Sequence, residues 1–366
     1  MTGKFSAFDI GCMARAISIA EFGRGHVGTN PLVGAVVALG GKAVGEGWHA
    51  EFGGPHAEAV ALSRAGGITG GATVYVSLEP CSRTGKTPPC TRMLIAAGIK
   101  RVVYASPDPH EKGAGSRELR QAGIAVSGGL MDEESRQMNS EYYVRLRQHT
   151  PFVFLKLAMT MDGKIADYRG RSKWITSQLA RTWTRSLRGN VDAIMVGSGT
   201  VLADDPRLTG PDGGHQPIKV IVDSDAVTPI RSKLMKGSQV IIVCSTSASK
   251  NRIMALRKAG AQVMEVRKNG NRVDLRSAMK GLMEQGIGSL VCEGGARLAG
   301  SLLELKMVNR LVVVMSPRLL GGTRSLSAVV GKDFPLASSR LLTELSVSRL
   351  GPDILVEGTI AGKGGA

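Results

Sequence analysis

Apolar strand-like runs alternate with helix-patterned segments along the whole of this chain, and the alternation breaks and restarts once, at His149-Thr150-Pro151. Such alternation packs helices on the faces of a sheet, so the fold class is α/β. Phe8, Met13, Ile17 and Ala20 recur at helical spacing over residues 6–22, and Gly23 and Gly25 close the pattern. Val33-Gly34-Ala35-Val36-Val37 reads as a buried strand, with a hairpin turn at Gly40-Gly41. A helix from His56 to Arg64, a strand over 72–78, a helix opening near Pro88 and a strand over 101–105 follow. The alternation continues through Leu119–Ala122, and one charged helix is predicted from Asp132 to Arg147. Pro151 disfavours its continuation. Beyond it, strands are predicted over 152–159, 192–196, 218–222, 239–243, 289–292 and 310–315, and helices over 177–188, 249–259, 273–285 and 296–305. A chain of 366 residues suits two domains, placed at 1–149 and 150–366, with the tail 361–366 expected to be disordered.

Composition narrows the function classes. Hydrophobic residues make up 43% and charged residues 21%, the proportions of a soluble globular protein, and no apolar run approaches a membrane span. Asp9, Arg15 and Glu21 interrupt any signal-peptide core, so a cytoplasmic location is expected. The five cysteines are an odd set for a disulfide framework, and Cys12, Cys244 and Cys292 read as small buried hydrophobes. A net charge of +17 fits a nucleic acid, an anionic small molecule or a generally basic proteome. With 4% aromatics and no long basic block, no nucleic-acid partner is expected.

Cys81 and Cys90 stand apart. His56-Ala57-Glu58 opens a helix, Glu79-Pro80-Cys81 closes a strand, and Pro88-Pro89-Cys90 opens another helix. One His and two Cys are the three ligands of a catalytic Zn²⁺ that keeps its fourth position open. Cys90 in a first helical turn favours the thiolate form that binds metal. Glu58, two residues from His56, is placed to carry a proton without ligating. This H-x-E…P-C…C signature belongs to zinc deaminases of nucleobases, where the metal activates water and the Glu passes its proton to the leaving ammonia. Eight residues separate Cys81 from Cys90, more than in tRNA and cytidine deaminases.

Longer motifs extend the reading across the chain. Thr29-Asn30-Pro31-Leu32-Val33-Gly34-Ala35-Val36, Gly45-Glu46-Gly47-Trp48-His49, His56-Ala57-Glu58 and Glu79-Pro80-Cys81-Ser82…Gly85-Lys86-Thr87-Pro88-Pro89-Cys90 resemble the bifunctional deaminase–reductase family of riboflavin biosynthesis. The second half agrees through Lys156–Ala166, Ser172-Lys173-Trp174-Ile175-Thr176, Gly197–Pro206 and Glu293-Gly294-Gly295, so the match runs from about residue 8 to 357. The resemblance implies a cytidine-deaminase-like αβα sandwich followed by a dihydrofolate-reductase-like domain with a mixed sheet. It implies deamination of 2,5-diamino-6-ribosylamino-4(3H)-pyrimidinone 5′-phosphate, then reduction of the product's ribosyl group to ribityl with NADPH. One Zn²⁺ per deaminase site and NADPH are the implied cofactors. Phosphorylated pyrimidines are the implied substrates, and a homo-oligomer is compatible. By the same resemblance Asn30, His49, Lys86 and Asp108 contact the deaminase substrate. Ser172, Arg188, Asp204, Leu208 and Glu293 contact the reductase substrate. Ala158, Trp174, Thr200, Asp204, Ser224 and the stretch from Gly295 contact the cofactor. Lys156 and Asp162 are further candidates to orient the substrate, and Arg207 is one for its phosphate.

On its residues alone the second half says less. Gly197-Ser198-Gly199-Thr200 after a strand and Glu293-Gly294-Gly295 before a helix each offer backbone N–H groups to a phosphate. Neither fits the G-x-G-x-x-G fingerprint of a Rossmann domain. Three positions depart from the family pattern: Arg83 stands where His is usual, His110-Glu111 where Asn-Pro is usual, and Pro211 where an Arg helps hold the substrate phosphate. Proline cannot make that charge-assisted contact, and Arg207, Arg169 and Arg171 are the candidates to replace it. The alternatives are a deaminase whose reductase half is impaired or altered in substrate, a nucleoside or tRNA deaminase, and a zinc-stabilised module with a degenerate reductase half acting as a partner- or ligand-binding scaffold.

Overall fold

The computed structural model describes residues 5–85 and 87–360, and the chain divides into two units between Gln148 and His149. The expectations for Lys86 and for the tail 361–366 lie outside the described residues. No helix among the described residues is long and apolar enough to cross a membrane.

The first unit comprises α1 (Ala7–Ala20), β1 (Gly34–Leu39), β2 (Lys42–Trp48), α2 (Ala57–Arg64), β3 (Thr73–Leu78), α3 (Cys90–Ala96), β4 (Arg101–Ser106), α4 (Ala114–Gln121), β5 (Ala125–Gly128), α5 (Asp132–Met138) and α6 (Ser140–Gln148). Its sheet runs β2-β1-β3-β4-β5, antiparallel through β3 and parallel beyond it. The period-two alternation of the strands sets the layers. Ala35, Val37, Val74 and Val102 pack against Ala57 and Ala61 of α2, Leu94 of α3 and Leu119 of α4. Val36, Tyr75 and Val103 pack on the other side, against Met13, Ala16 and Ile19 of α1. The result is the αβα sandwich, and each fully buried Val or Leu contributes about 1.5–3 kcal/mol. Gly40 and Gly41, with φ of +58° and +76°, form the two-residue hairpin turn that L side chains rarely allow. Gly47 has a different job: a Cβ there would lie 2.5 Å from the Ala61 nitrogen and 2.6 Å from the Ala57 oxygen. Its bare backbone lets α2, and with it His56 and Glu58, sit close against β2.

The single charged helix predicted from Asp132 to Arg147 is two helices, broken at Asn139. There the side-chain Oδ1 accepts from the Leu32 N–H at 2.8 Å and Nδ2 donates to the Leu32 carbonyl at 2.9 Å. A side-chain amide that pairs with a backbone peptide in this way competes with helical continuity.

The second unit comprises β6 (Phe152–Thr160), β7 (Lys164–Ala166), α7 (Gln178–Gly189), β8 (Ala193–Gly197), α8 (Ser198–Asp204), β9 (Ile218–Val222), β10 (Val240–Ser245), α9 (Lys250–Lys258), β11 (Gln262–Val266), β12 (Lys268–Asn269), β13 (Arg272–Val273), α10 (Leu275–Glu284), β14 (Ser289–Cys292), α11 (Ala296–Glu304), β15 (Arg310–Ser316), β16 (Leu326–Ser327), β17 (Leu342–Leu350) and β18 (Asp353–Ile360). The main sheet runs β11-β10-β9-β8-β14-β6-β15-β18-β17, parallel as far as β15 and antiparallel over the last two strands. It is the expected mixed sheet. Val153, Leu155, Met195 and Leu290 face Met279 and Leu282 of α10 and Ala299 and Leu302 of α11. Ile194, Val196, Ile221 and Ile242 face Val201 of α8 and Ile253 and Leu256 of α9. The central strands are therefore buried on both faces and read as continuous apolar runs.

Candidate active site

In the first unit three segment ends converge. His56 is the N-cap of α2, Cys90 the first residue of α3, and Cys81 lies three residues beyond β3. His56 Nδ1 is 3.2 Å from Cys90 Sγ and 3.5 Å from Cys81 Sγ, and all three donor atoms lie within 4.8 Å of one another. Thr87 Oγ1 sits 3.2 Å from His56 Nε2, so ligation through Nδ1 leaves Nε2–H to donate to this hydroxyl and fix the ring. Two soft sulfurs and one imidazole nitrogen suit Zn²⁺, and the residues present fit that ion. The Cys90 thiol bonded to Cys81 pulls the Cys81 thiol down, while that same neighbour and burial push Cys90 up. Metal ligation takes both sulfurs as thiolates, so binding would release the thiol proton. Glu58 is buried beside Cys90, and burial together with Cys81 pushes its carboxyl above the usual range.

The neighbouring pocket residues are tied together. His49 Nδ1–H donates to the Pro55 carbonyl at 3.0 Å, so Nε2 accepts from Asn30 Nδ2 at 2.9 Å. Burial pushes the His49 pKa down, which keeps the ring neutral, and it lies edge-on to His56 with centroids 5.6 Å apart. Asp108 Oδ1 accepts from the His110 N–H at 2.9 Å and the Tyr142 hydroxyl at 3.0 Å, and burial raises its pKa. Tyr142 lies under the Arg145 guanidinium, whose NH2 donates to the Thr29 carbonyl at 3.0 Å. Tyr142 and Arg145 thus link Asp108 to the Asn30 segment. Sequence reading missed both; their i,i+3 spacing on α6 was the available signal.

The two deaminase-half departures meet each other. Arg83 Nε lies 3.7 Å from Glu111 Oε1, and its NH2 donates to the His110 carbonyl. Buried Glu111 in turn accepts from the Ser82 N–H at 3.0 Å and the Ser82 hydroxyl at 2.5 Å. Glu111 therefore clamps the residue that follows Cys81.

In the second unit the family positions gather around one cavity of about 1480 Å³. Lys156 and Ala158 on β6, Ser172 and Trp174 in the loop before α7, and Arg188 on α7 line it. So do Thr200 and Asp204 on α8, Arg207 and Leu208 after it, Ser224 after β9, and Glu293 and Gly295 between β14 and α11. Asp162 does not: its carboxylate accepts from Thr160 Oγ1 at 2.6 Å and from the Gly321 N–H at 2.7 Å. Those bonds, the Thr160 one foremost, hold its pKa down at about 2, and it braces a turn.

At the cavity's polar centre Arg188 grips Glu293 bidentately, Nε to Oε1 at 2.6 Å and NH2 to Oε2 at 2.9 Å. Lys156 Nζ lies 3.8 Å from the same carboxylate. Burial would raise Glu293, but the two cations outweigh it and hold the carboxylate ionised. Burial lowers Lys156, with Glu293 opposing. Ser172 Oγ donates to Asp204 Oδ1 at 2.9 Å. Gly295, at φ +69°, is the N-cap of α11, and a Cβ there would come within 3.4 Å of Thr200 Oγ1. This bare helix start suits an anionic group.

Residues 7–106 match the family described as the cytidine and deoxycytidylate deaminase zinc-binding region, and residues 151–356 match the RibD C-terminal domain. The chain is 38% identical over 355 residues to the riboflavin biosynthesis protein RibD of Actinobacillus pleuropneumoniae, covering 95% of this chain and 94% of that protein. It is 38% identical over 360 residues to RibD of Escherichia coli, covering 93% and 96%. Among solved structures, a diaminohydroxyphosphoribosylaminopyrimidine deaminase/5-amino-6-(5-phosphoribosylamino)uracil reductase from Thermotoga maritima superposes with a TM-score of 0.85 at 34% identity, covering 97% and 99%. RibD of Acinetobacter baumannii does so at 0.87 and 30%, with the same coverage.

Proposed function

This chain belongs to the RibD family of riboflavin biosynthesis, with a zinc-deaminase domain and a reductase domain, and from that premise we propose how its residues divide the work. The first unit deaminates the diaminopyrimidine ribosylamine phosphate. The second reduces the ribosyl group of the resulting 5-amino-6-(5-phosphoribosylamino)uracil, in the cytoplasm and with no nucleic-acid partner.

The observation that carries the reading is the convergence of His56, Cys81 and Cys90 within 4.8 Å beside the buried Glu58. Zn²⁺ held by those three donors supplies Lewis acidity toward the attacking water. Glu58 accepts a proton from that water and returns it to the departing ammonia, so a C–N bond breaks as a C–O bond forms. Asn30 and neutral His49 orient the pyrimidine, with Lys86 and Asp108 as further contacts.

In the second unit NADPH supplies the hydride. The N-terminus of α11 at Gly295 binds its phosphates, with Ala158, Trp174, Thr200, Asp204 and Ser224 along the cofactor. Glu293, kept ionised by Arg188, accepts from substrate hydroxyls, and Lys156 Nζ donates to the oxygen at the reacting carbon. Ser172, Asp204 and Leu208 complete the substrate wall.

The test is Glu58→Gln, which keeps the ligands and removes the proton carrier. Ammonia release should fall by about 10²–10⁴-fold, the usual worth of general acid–base catalysis. NADPH oxidation with the deaminated product supplied should stay near wild type. Undiminished ammonia release from the variant would overturn the assignment of Glu58.

A further inference from the structure

A phosphorylated substrate entering the reductase cavity needs a cation that is not already neutralised. The cations on the wall differ in their commitments: Arg272 NH1 donates to Ser301 Oγ at 3.3 Å, and Arg297 is exposed in the first turn of α11, away from the 209–212 turn in sequence. Arg188 is gripped by Glu293, and its NH1 also donates to the Thr209 carbonyl at 3.0 Å. Lys156 faces the same glutamate, and Lys173 Nζ bonds the Asp204 carbonyl at 3.1 Å. Lys233 pairs with Asp205, which is fixed in place because its Oδ1 also accepts from the Lys233 N–H at 2.8 Å. Arg181 is stacked on Trp174 and donates to the Thr176 carbonyl.

Arg185 is held otherwise. One turn before Arg188 on α7, its NH2 reaches Thr209 Oγ1 at 3.4 Å and Asp212 Oδ1 at 3.2 Å, and the Asp212 side chain is 89% exposed. An exposed pair of this kind is worth about 0–1 kcal/mol, so an incoming dianion displaces Asp212 easily. The backbone explains why Arg185 reaches this loop. Pro211 packs on the last residue of α7: a Cβ on Gly189 would lie 2.9 Å from Pro211 Cδ. Gln216 braces the same turn, accepting from the Gly210 N–H at 3.0 Å and donating to the Pro211 carbonyl at 2.7 Å. Two guanidiniums spaced i,i+3 therefore converge on Thr209, and only one of them is occupied by a buried carboxylate.

We propose that Arg185 is the phosphate-binding cation of this reductase site, standing in from the helix where Pro211 removes an arginine from the loop. The inference rests on the reductase reading above. Of the replacements weighed from sequence, Arg171 is paired with Asp167 and Arg169 bonds Tyr168, and neither lines the cavity. Arg207 lines it but is exposed, and no hydrogen bond among the described residues ties it to the 209–212 turn.

The experiment compares NADPH oxidation by wild type, Arg185→Gln and Arg207→Gln with 5-amino-6-(5-phosphoribosylamino)uracil and with its phosphatase-treated form. Arg185→Gln should raise KM for the phosphorylated substrate by about ten- to a hundredfold, the worth of one charged hydrogen bond. Its kcat should stay within about twofold, its KM for the dephosphorylated substrate should not move, and Arg207→Gln should raise KM for the phosphorylated substrate by less than Arg185→Gln does. An equal rise for both substrates, no rise, or a rise at least as large from Arg207→Gln would overturn the proposal. A wild-type chain inert toward the phosphorylated substrate would instead overturn the reductase reading.

Discussion

Glu111, with Arg83 beside it, holds the residue next to the candidate metal donor Cys81 without touching Cys81 itself. Glu111 is buried and takes both the N–H and hydroxyl of Ser82, next to Cys81, while Arg83 supplies the opposing charge from the surface. Glu111→Ala leaves a buried N–H unpaired and should cost about 1–3 kcal/mol. Arg83→Ala, at a 63% exposed side chain, should cost under about 1 kcal/mol. In urea titrations of both variants and the double variant, the losses should fall short of additive, because the Arg83–Glu111 ion pair is lost with either residue and Arg83 then keeps only its bond to the His110 carbonyl. Strict additivity would contradict the coupling. That His56, Cys81 and Cys90 lie together beside Glu58 was legible in the sequence, because metal chemistry restricts both residue type and spacing. Glu111 was not: one acid after Asp-Pro-His reads as solvated surface, and its partner is 29 residues away along the chain. Arg185 was hidden likewise, as one of many cations on a basic helix. Asp162 runs the other way: motif membership suggested a substrate role, and its carboxylate lies outside the cavity lining, capping a turn.

Helix α1 begins on a capping box, Ser6 Oγ accepting from the Asp9 N–H and Asp9 accepting from the Ser6 N–H. Asp9 also binds the Tyr75 hydroxyl at 2.6 Å and Arg101 NH1 at 2.7 Å, tying the helix to β3 and β4. Burial works to raise its pKa, but Arg101, Tyr75 and Ser6 outweigh it and hold the carboxyl well below the usual range. A depressed native pKa adds stability that is fully present above the unfolded value near 3.9 and is lost as pH falls toward the native one. Asp9→Asn should therefore be less stable at neutral pH, and its deficit should shrink as pH drops below about 4. Urea midpoints across that range check it; a deficit that grows on acidification would contradict the sign. Elements with buried, regular faces were legible, β9 and β14 to the residue. Those set by tertiary contact were not. Asn139 divides α5 from α6 through a pairing 107 residues distant, and β17, exposed along most of its length, offers only the short alternation Leu345-Ser346-Val347-Ser348.

For the molecule as a whole, each site is assembled from its own unit. The metal donors and Glu58 come from residues 56–90, and the cavity wall from residues 156–328. Two chemistries on one chain then need no shared side chain, which matches a family whose two domains are recognised separately at 7–106 and 151–356. The restart at Pro151 made the division visible in sequence, because a fresh buried strand follows a residue that resists helix. Both reactions fall to this one chain. Zinc-loaded protein given freshly generated diaminopyrimidine ribosylamine phosphate with NADPH, with ammonia and NADPH followed together, decides it. Ammonia should appear first and NADPH should then be consumed in equal amount. Ammonia without NADPH consumption, even after the deaminated product is added, would show that the chain does not carry out the reduction.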